Sequence, residues 1–203
     1  MAEHTPQRYL FIGDSITDCD RLTTPDGLGA GYVRHLSERL VTDGRPVSVF
    51  NRGVSGNRVS DLRARWQEDC LDLQPTLVSI LVGINDTWRR YDSGEAVSPE
   101  AFGRDYRSLL EPLADLELVL VEPFLLPISG EQQEWRDDLD PKIEIVRNLA
   151  SEFSATLVPA DVRLNSYAAE LGVQALAPDG VHPTPRGHEL LASEWQAAIR
   201  TQR

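Results

Sequence analysis

Short apolar runs alternate with amphipathic stretches along the chain. Five of these runs are almost continuously apolar, and they lie at 9–12, 47–50, 77–82, 118–121 and 156–158. Runs of this length and composition are typical of β-strands that are buried on both faces, as in a parallel sheet. We therefore predict five buried strands, the first of which ends at Gly13.

Apolar residues at helical spacing occupy several of the intervals between these strands. The predicted helices are one over 28–41 that stops at Gly44, one whose buried face is Val59, Leu62, Trp66 and Cys70, one from Ser98-Pro99 to Leu110, one opened by Asp140-Pro141, and one from Thr184-Pro185 to Ile199. Proline directly after a capping residue favours a helix start. The alternation predicts an α/β fold, in which helices cover both faces of a parallel sheet as a three-layer sandwich. Because no linker or repeat interrupts the pattern, we expect 1–203 to form one domain.

Polar clusters follow the first three predicted strands, and a fourth precedes the last helix. They are Gly-Asp-Ser-Ile-Thr at 13–17, Asn-Arg-Gly at 51–53, Gly-Ile-Asn-Asp at 83–86 and Pro-Asp-Gly-Val-His-Pro at 178–183. Open parallel sheets bind their ligands outside the carboxyl ends of the strands. We therefore expect the four clusters to share one rim of the sheet.

The first and last clusters hold the elements of a nucleophilic site. Ser15 occupies a turn after a strand, where a nucleophile can be exposed and backbone N–H groups can face an oxyanion. A serine hydroxyl needs a positioned base, and the base needs an orienting acceptor. His182 and Asp179, three residues apart, could supply both from one turn. Each feature alone is more often a loop, an N-cap or a surface turn, so the prediction rests on their joint order along the chain.

In this order the four blocks resemble those of the SGNH/GDSL hydrolase family, whose signature residues are Ser, Gly, Asn and His. The second block extends here to Asn-Arg-Gly-Val-Ser-Gly at 51–56. The resemblance implies a serine esterase in which Ser15 is the nucleophile, His182 the general base and acid, and Asp179 the orienting carboxylate. The implied fold is flavodoxin-like, with a five-stranded parallel sheet in the order 2-1-3-4-5.

The resemblance also implies an oxyanion hole and points to one branch of the family. The oxyanion donors would be the backbone N–H groups of Ser15 and Gly53 and the side-chain amide of Asn85. The stretches at 51–62, 83–92 and 139–143 resemble the acetyl-xylan-esterase-like branch. Members of that branch remove acetyl groups from xylo-oligosaccharides and can assemble as homo-oligomers. This chain departs from the branch near Leu176-Ala177, where an aromatic residue is missing.

The resemblance leads us to expect a carbohydrate acetylesterase. The alternative is a broad-specificity small-ester esterase, a lysophospholipase or a thioesterase of the same family. The short predicted loops leave no room for a large apolar lid, which favours a compact acyl pocket.

Four further residues are candidates for contact with the substrate. Ile16 would bound the acyl pocket, and Trp88 and Trp135, which we predict in loops on the active rim, would either face a sugar or serve as packing lids. Asp14 is the fourth candidate, although bracing the turn before Ser15 explains it better.

Two other interpretations fit the same residues less well. His188, Asp14 and Asp86 could suggest a metal site, but hydrolytic metal sites draw their ligands from a tight constellation, so we expect neither metal nor cofactor. A receiver-like signalling domain also places acids after strands one and three. It needs a lysine after strand five, and the only lysine is Lys142, which precedes that strand.

Composition limits the partners. The chain has 20 Lys plus Arg against 32 Asp plus Glu, for a formal charge of −12, which argues against nucleic acid and anionic membranes as main partners. The Arg89-Arg90 pair is expected to form salt bridges rather than bind an anionic substrate. Two isolated cysteines, and no signal-peptide core in the stretch from Met1 to Tyr9, predict a cytoplasmic protein. The expected partner is a small-molecule ester.

Overall fold

The computed structural model describes residues 7–42 and 47–201 of the chain. Five strands form one parallel sheet in the order β2-β1-β3-β4-β5, as the resemblance implied. The strands are β1 (Gln7–Gly13), β2 (Val47–Gly53), β3 (Leu77–Leu81), β4 (Glu117–Val121) and β5 (Thr156–Val158). All five predicted strands are therefore confirmed, each to within two or three residues at its ends.

The central strand β1 shows why these runs are apolar at every position. Leu10 and Ile12 point into the core on one face of the sheet, and Tyr9 and Phe11 point into the core on the other. Because successive side chains of a strand alternate between faces, burial on both sides requires a continuous apolar run. Gly13 is level with the last residues of β2 and β3, which brings the polar clusters after these three strands to the same rim.

Eleven helices lie among the described residues. They are α1 (Ser15–Asp18), α2 (Tyr32–Thr42), α3 (Val59–Ala64), α4 (Trp66–Asp69), α5 (Ile84–Asp92), α6 (Pro99–Leu110), α7 (Gly130–Glu134), α8 (Arg136–Glu152), α9 (Ala160–Leu171), α10 (Val173–Leu176) and α11 (Pro185–Thr201). Short 3₁₀ turns lie at Arg21–Thr23, Leu71–Leu73 and Glu111–Leu113. Helices α2 and α11 pack together against the core on one face of the sheet, and α3 and α6 pack against the core on the other.

Three predicted helices differ in their bounds. The helix predicted over 28–41 begins only at Tyr32. The prediction that Asp140-Pro141 opens a helix is wrong, because α8 begins at Arg136 and contains Pro141. The proline falls in the second turn, where it costs about one hydrogen bond, and the buried residues Leu139 and Ile143 on either side of it hold that turn in the core. The helical face predicted over 59–70 is buried as expected, but it is divided between α3 and α4.

Helices α1, α5, α7, α9 and α10 were not predicted from the sequence. The predicted helix stop at Gly44 and residues 1–6 of the Met1-to-Tyr9 stretch lie outside the described residues. Within the described ranges, no helix combines the length and the apolar character needed to cross a membrane.

Candidate active site

Three side chains at the rim form a continuous hydrogen-bonded chain. Ser15 is the first residue of α1, and its Oγ lies 2.9 Å from Nε2 of His182. Nδ1 of the same imidazole lies 2.6 Å from Oδ2 of Asp179. With the Nδ1 proton donated to the carboxylate, Nε2 is left as the acceptor for the serine hydroxyl. The structure thus brings together the three residues predicted as the catalytic group.

The turn that carries this pair orients its own carboxylate. Oδ1 of Asp179 accepts hydrogen bonds from the backbone N–H groups of Val181 at 2.9 Å and His182 at 2.7 Å, which leaves Oδ2 for the imidazole. Burial raises the pKa of Asp179, but the hydrogen bonds from the His182 side chain and these two N–H groups outweigh it. The pKa therefore lies below its ordinary value. The acid stays ionised, as an orienting acceptor must.

Asp14 lies beneath the nucleophile and does not line the cleft. It is fully buried, and its Oδ1 caps α1 by accepting the N–H of Ile16 at 3.0 Å. Its Oδ2 is buried without a hydrogen-bond partner among the described residues. Burial raises the pKa of Asp14 to about 7, against the lowering effect of the Ile16 N–H. Its candidacy for substrate contact is therefore corrected: Asp14 braces the turn that presents Ser15.

The second block places a different glycine at the site than the one predicted. The N–H of Gly53 donates to Oδ1 of Asn51 at 2.9 Å, and a Cβ at Gly53 would lie 2.1 Å from the backbone nitrogen of Asp18. Gly53 is therefore engaged within the fold and faces α1 rather than the cleft, so its assignment to the oxyanion hole is wrong.

Gly56, in the same block, lines the cleft together with Ser15. It has a φ of 82°, which favours glycine, and its N–H makes no hydrogen bond to another described residue. The second glycine of Asn-Arg-Gly-Val-Ser-Gly was the signal that could have indicated it.

The third block places Asn85 in the first turn of α5, where it lines the cleft. Its Nδ2 donates to the carbonyl of Asn57 at 3.1 Å, and the second proton of that amide is available to a ligand. The next residue, Asp86, is buried and accepts the N–H of Val59 at 3.2 Å. Burial raises the pKa of Asp86 to about 7. This buried carboxyl fastens the start of α5 to α3.

A cleft of about 460 Å³ opens above these groups, within the size range of ligand pockets. Ile16 and Trp88 line it, as predicted for substrate contact. Trp88 lies on α5 and not in a loop, and its ring centroid is 5.9 Å from that of His182. Trp135 is 5% exposed and packs behind Trp88 at 5.5 Å, so it supports the wall without facing the cleft. The loop prediction is therefore wrong for Trp88, whereas Trp135 is the turn residue between α7 and α8.

Charged residues also line the cleft. They are Asp20, Arg89 and Asp92, and Nη1 of Arg89 pairs with Asp92 at 2.6 Å. Arg90 pairs with Asp138 at 3.1 Å. Both arginines therefore form salt bridges, as predicted. The charged part of the lining is suited to a polar group.

His188 is a buried residue of α11 that borders the cleft. Its Nδ1 accepts the N–H of Tyr32 at 3.2 Å, so the ring proton lies on Nε2, which is 3.4 Å from Sγ of Cys19. Burial lowers the pKa of His188 to about 4, which keeps the ring neutral. Within 7–42 and 47–201, no three histidine, cysteine or acidic side chains form a group that could hold a metal ion.

Comparison with known proteins gives one consistent family. Residues 11–190 match the model of the GDSL-like Lipase/Acylhydrolase family. An acetylxylan esterase from Geobacillus stearothermophilus is 37% identical over 208 residues, which covers 95% of this chain and 94% of that protein.

Solved structures agree with this result. A protein described as a GDSL-like lipase from Parabacteroides merdae superposes with a TM-score of 0.90 at 33% identity, covering 96% of each chain. A crystal structure of an acetylxylan esterase from Geobacillus stearothermophilus superposes with a TM-score of 0.88 at 35% identity. The alignment covers 98% of this chain and 96% of that one. Two similar structures are catalytic mutants of that esterase, in which an aspartate and a histidine three positions apart are each replaced by alanine.

Proposed function

The chain belongs to the GDSL-like lipase/acylhydrolase family of carboxylic ester hydrolases, and on that premise we propose that it is a serine acetylesterase acting on acetylated carbohydrates. The observation that carries the proposal is the hydrogen-bonded chain from Ser15 through His182 to Asp179 at the floor of an open cleft. The aspartate and histidine replaced in catalytic mutants of the similar esterase have the same spacing as Asp179 and His182.

Ester hydrolysis proceeds in two stages, the acylation and the deacylation of Ser15. Oγ of Ser15 attacks the ester carbonyl carbon while Nε2 of His182 takes the hydroxyl proton, and the carbonyl oxygen becomes an oxyanion. When that intermediate collapses, the bond to the leaving alcohol breaks and the imidazolium returns the proton to the alcohol oxygen. Water then attacks the acetyl-serine by the same proton transfers, which releases acetate and restores Ser15. Asp179 stabilises the imidazolium in both stages.

Three donors are suited to the oxyanion. They are the backbone N–H of Ser15 in the first turn of α1, the backbone N–H of Gly56, and the free Nδ2 proton of Asn85. Each comes from the end of a different strand, so the sheet fixes their relative positions. Preorganised donors that face a developing negative charge stabilise the transition state.

The cleft favours a small acyl group and a polar alcohol. Ile16, Gly56 and Asn85 line the cleft together with Ser15, and Trp88 and charged side chains line the same cleft. An aromatic face beside charged hydrogen-bonding groups suits a sugar ring. A long acyl chain would instead remove those charged groups from water and offer them no hydrogen bond in return. The similarity to acetylxylan esterases supports acetylated xylo-oligosaccharides as the substrate.

Two measurements test the proposal. Ser15→Ala should remove nearly all ester turnover with the fold intact, and a serine-directed phosphonate should label that residue alone; full activity in the variant would refute the serine mechanism. Rates on aryl esters should be highest for acetate, fall by butyrate and nearly vanish at octanoate, and acetylated xylobiose should release acetate. A rate that rises toward octanoate would instead favour a lysophospholipase or thioesterase.

A further inference from the structure

The turn that carries Asp179 and His182 is attached to the segment that follows β4. The carbonyl of Asp179 accepts a hydrogen bond from Nε2 of Gln132 at 2.7 Å, and the carbonyl of Gly180 accepts one from the N–H of Leu126 at 2.8 Å. These two bonds hold consecutive peptide groups in the middle of the turn. No sequence block of the family contains either donor.

The Gln132 side chain is engaged at both ends. Its Oε1 accepts the N–H of Ile128 at 3.0 Å while its Nε2 donates to Asp179, so only one orientation of the amide satisfies both partners. The backbone of Gln132 is fixed as well, because its N–H donates to Oγ of Ser129, the N-cap of α7. The amide is therefore held rigidly against the catalytic turn.

Packing reinforces the hydrogen bonds. Gly180 has a φ of 85°, and a Cβ at this position would lie 2.4 Å from Oε1 of Gln132 and 2.8 Å from the carbonyl of Leu126. The glycine thus allows the turn to approach the Gln132 amide more closely than any other residue could.

The segment after β4 has a firm base of its own. The N–H of Leu125 donates to the buried carboxylate of Asp161 at 3.2 Å, and Arg136 forms two hydrogen bonds to the same carboxylate at 2.7 and 2.8 Å. Asp161 is in the first turn of α9, and Arg136 begins α8. The segment that carries Gln132 is therefore held in place by residues of α8 and α9.

We propose that Gln132 is a positioning residue that sets the orientation of the Asp179–His182 pair toward Ser15. This rests on the catalytic roles proposed above. Gln132 does not touch the substrate; it acts through the carbonyl of Asp179. A displacement of about 1 Å in such a pair can lower the rate by about a hundredfold, so one strong tether on the turn has a measurable effect.

Gln132→Met tests the proposal, because methionine keeps the length of the side chain and removes both hydrogen bonds. Gln133→Met is the matched control, since Gln133 is exposed on the same helix. We expect kcat/KM on an aryl acetate to fall about ten- to a hundredfold in Gln132→Met, mainly through kcat, and to be unchanged in the control. Both variants should melt within a few degrees of the wild type.

A double-mutant cycle with His182→Ala separates positioning from a general structural effect. If Gln132 acts by positioning the Asp179–His182 pair, Gln132→Met should cost little in the His182→Ala background, where no imidazole remains to be positioned. An undiminished loss there, or no loss in the single variant, would overturn the proposal. If His182→Ala alone had no effect, the catalytic assignment itself would be wrong, which is a distinct result.

Gln132→Glu provides a second readout that does not depend on the stability of Gln132→Met. The carboxylate can still accept from the Ile128 N–H, but it faces the Asp179 carbonyl with an oxygen and adds negative charge against the turn that carries His182. Because that charge favours the protonated imidazole, the acid limb of the kcat/KM profile should move to higher pH. Gln133→Glu should leave the limb in place. Coincident profiles for the two variants would contradict the proposal.

Discussion

Replacing Asp14 by asparagine should change how the stability of the protein depends on pH. The carboxyl is fully buried, one of its oxygens has no hydrogen-bond partner among the described residues, and its pKa is raised from 3.8 to about 7. The folded protein therefore holds a proton that the unfolded chain has released by neutral pH. The stability that this proton gives is present below pH ~4 and is lost as the pH rises to about 7.

The size of the effect follows from the two pKa values. A pKa difference of one is worth about 1.4 kcal/mol, so the change from 3.8 to about 7 amounts to about 4 kcal/mol in the free energy of unfolding. Asp14→Asn keeps an oxygen for the Ile16 N–H and carries no charge at any pH. The variant should therefore gain stability relative to the wild type by up to about 4 kcal/mol between pH 4 and pH 8.

Urea unfolding of both proteins across this range measures the difference directly. Asp86 also has a pKa raised to about 7 and contributes to both curves. Because the charge of Asp86 adds to the rise in the pKa of Asp14, the difference at each pH measures Asp14 together with its coupling to Asp86. Asp115→Asn, at an exposed position, controls for the loss of one negative charge. A difference that stays constant with pH would show that Asp14 is ionised at little cost, and the argument from burial would be wrong.

Three further predictions concern catalysis. His182→Ala should lower kcat/KM more than Asp179→Asn, and retained activity in His182→Ala would require another base. In the wild type, the rate should fall as the pH is lowered, because a protonated imidazole cannot accept the Ser15 proton. Asn85→Ala should lower kcat by about a hundred- to a thousandfold, and an effect seen only in KM would assign this amide to ground-state binding. Trp88→Ala should reduce turnover of acetylated xylobiose more than that of an aryl acetate, and equal losses would indicate that Trp88 serves packing.

The strands and the sheet were predictable because their apolar signal is local. A strand buried on both faces is apolar at nearly every position, so five short runs were sufficient. Helix α5 was missed for a physical reason. Its first turn contains Asn85 and Asp86 and follows Gly83, and all three are typical turn residues. The segment becomes helical because the fold buries Asn85 and Asp86 and hydrogen-bonds their side chains. Because α5 was missed, Trp88 was wrongly predicted to lie in a loop.

The candidate catalytic chain was predictable in part. The spacing of Asp179 and His182 places both side chains on one tight turn, and the turn after β1 presents Ser15, so the joint order of these features along the chain indicates all three. Gln132 carries no such signal, because its contact with Asp179 spans 47 residues and depends on how the segment after β4 packs. A hydrogen bond between residues so far apart in the chain can be identified only from the structure.

The distinction between Gly53 and Gly56 shows what a signature block can and cannot specify. Both glycines lie in one block, and both are required, but for different reasons: Gly53 allows the end of β2 to pack against α1, whereas Gly56 lines the cleft with its N–H unengaged among the described residues. The same division recurs in the first and third blocks, where Asp14 and Asp86 are buried beside Ser15 and Asn85. Each strand end thus pairs a group that faces the cleft with a buried group that fixes its position. A block in the sequence identifies the pair, and only the packing assigns the two roles.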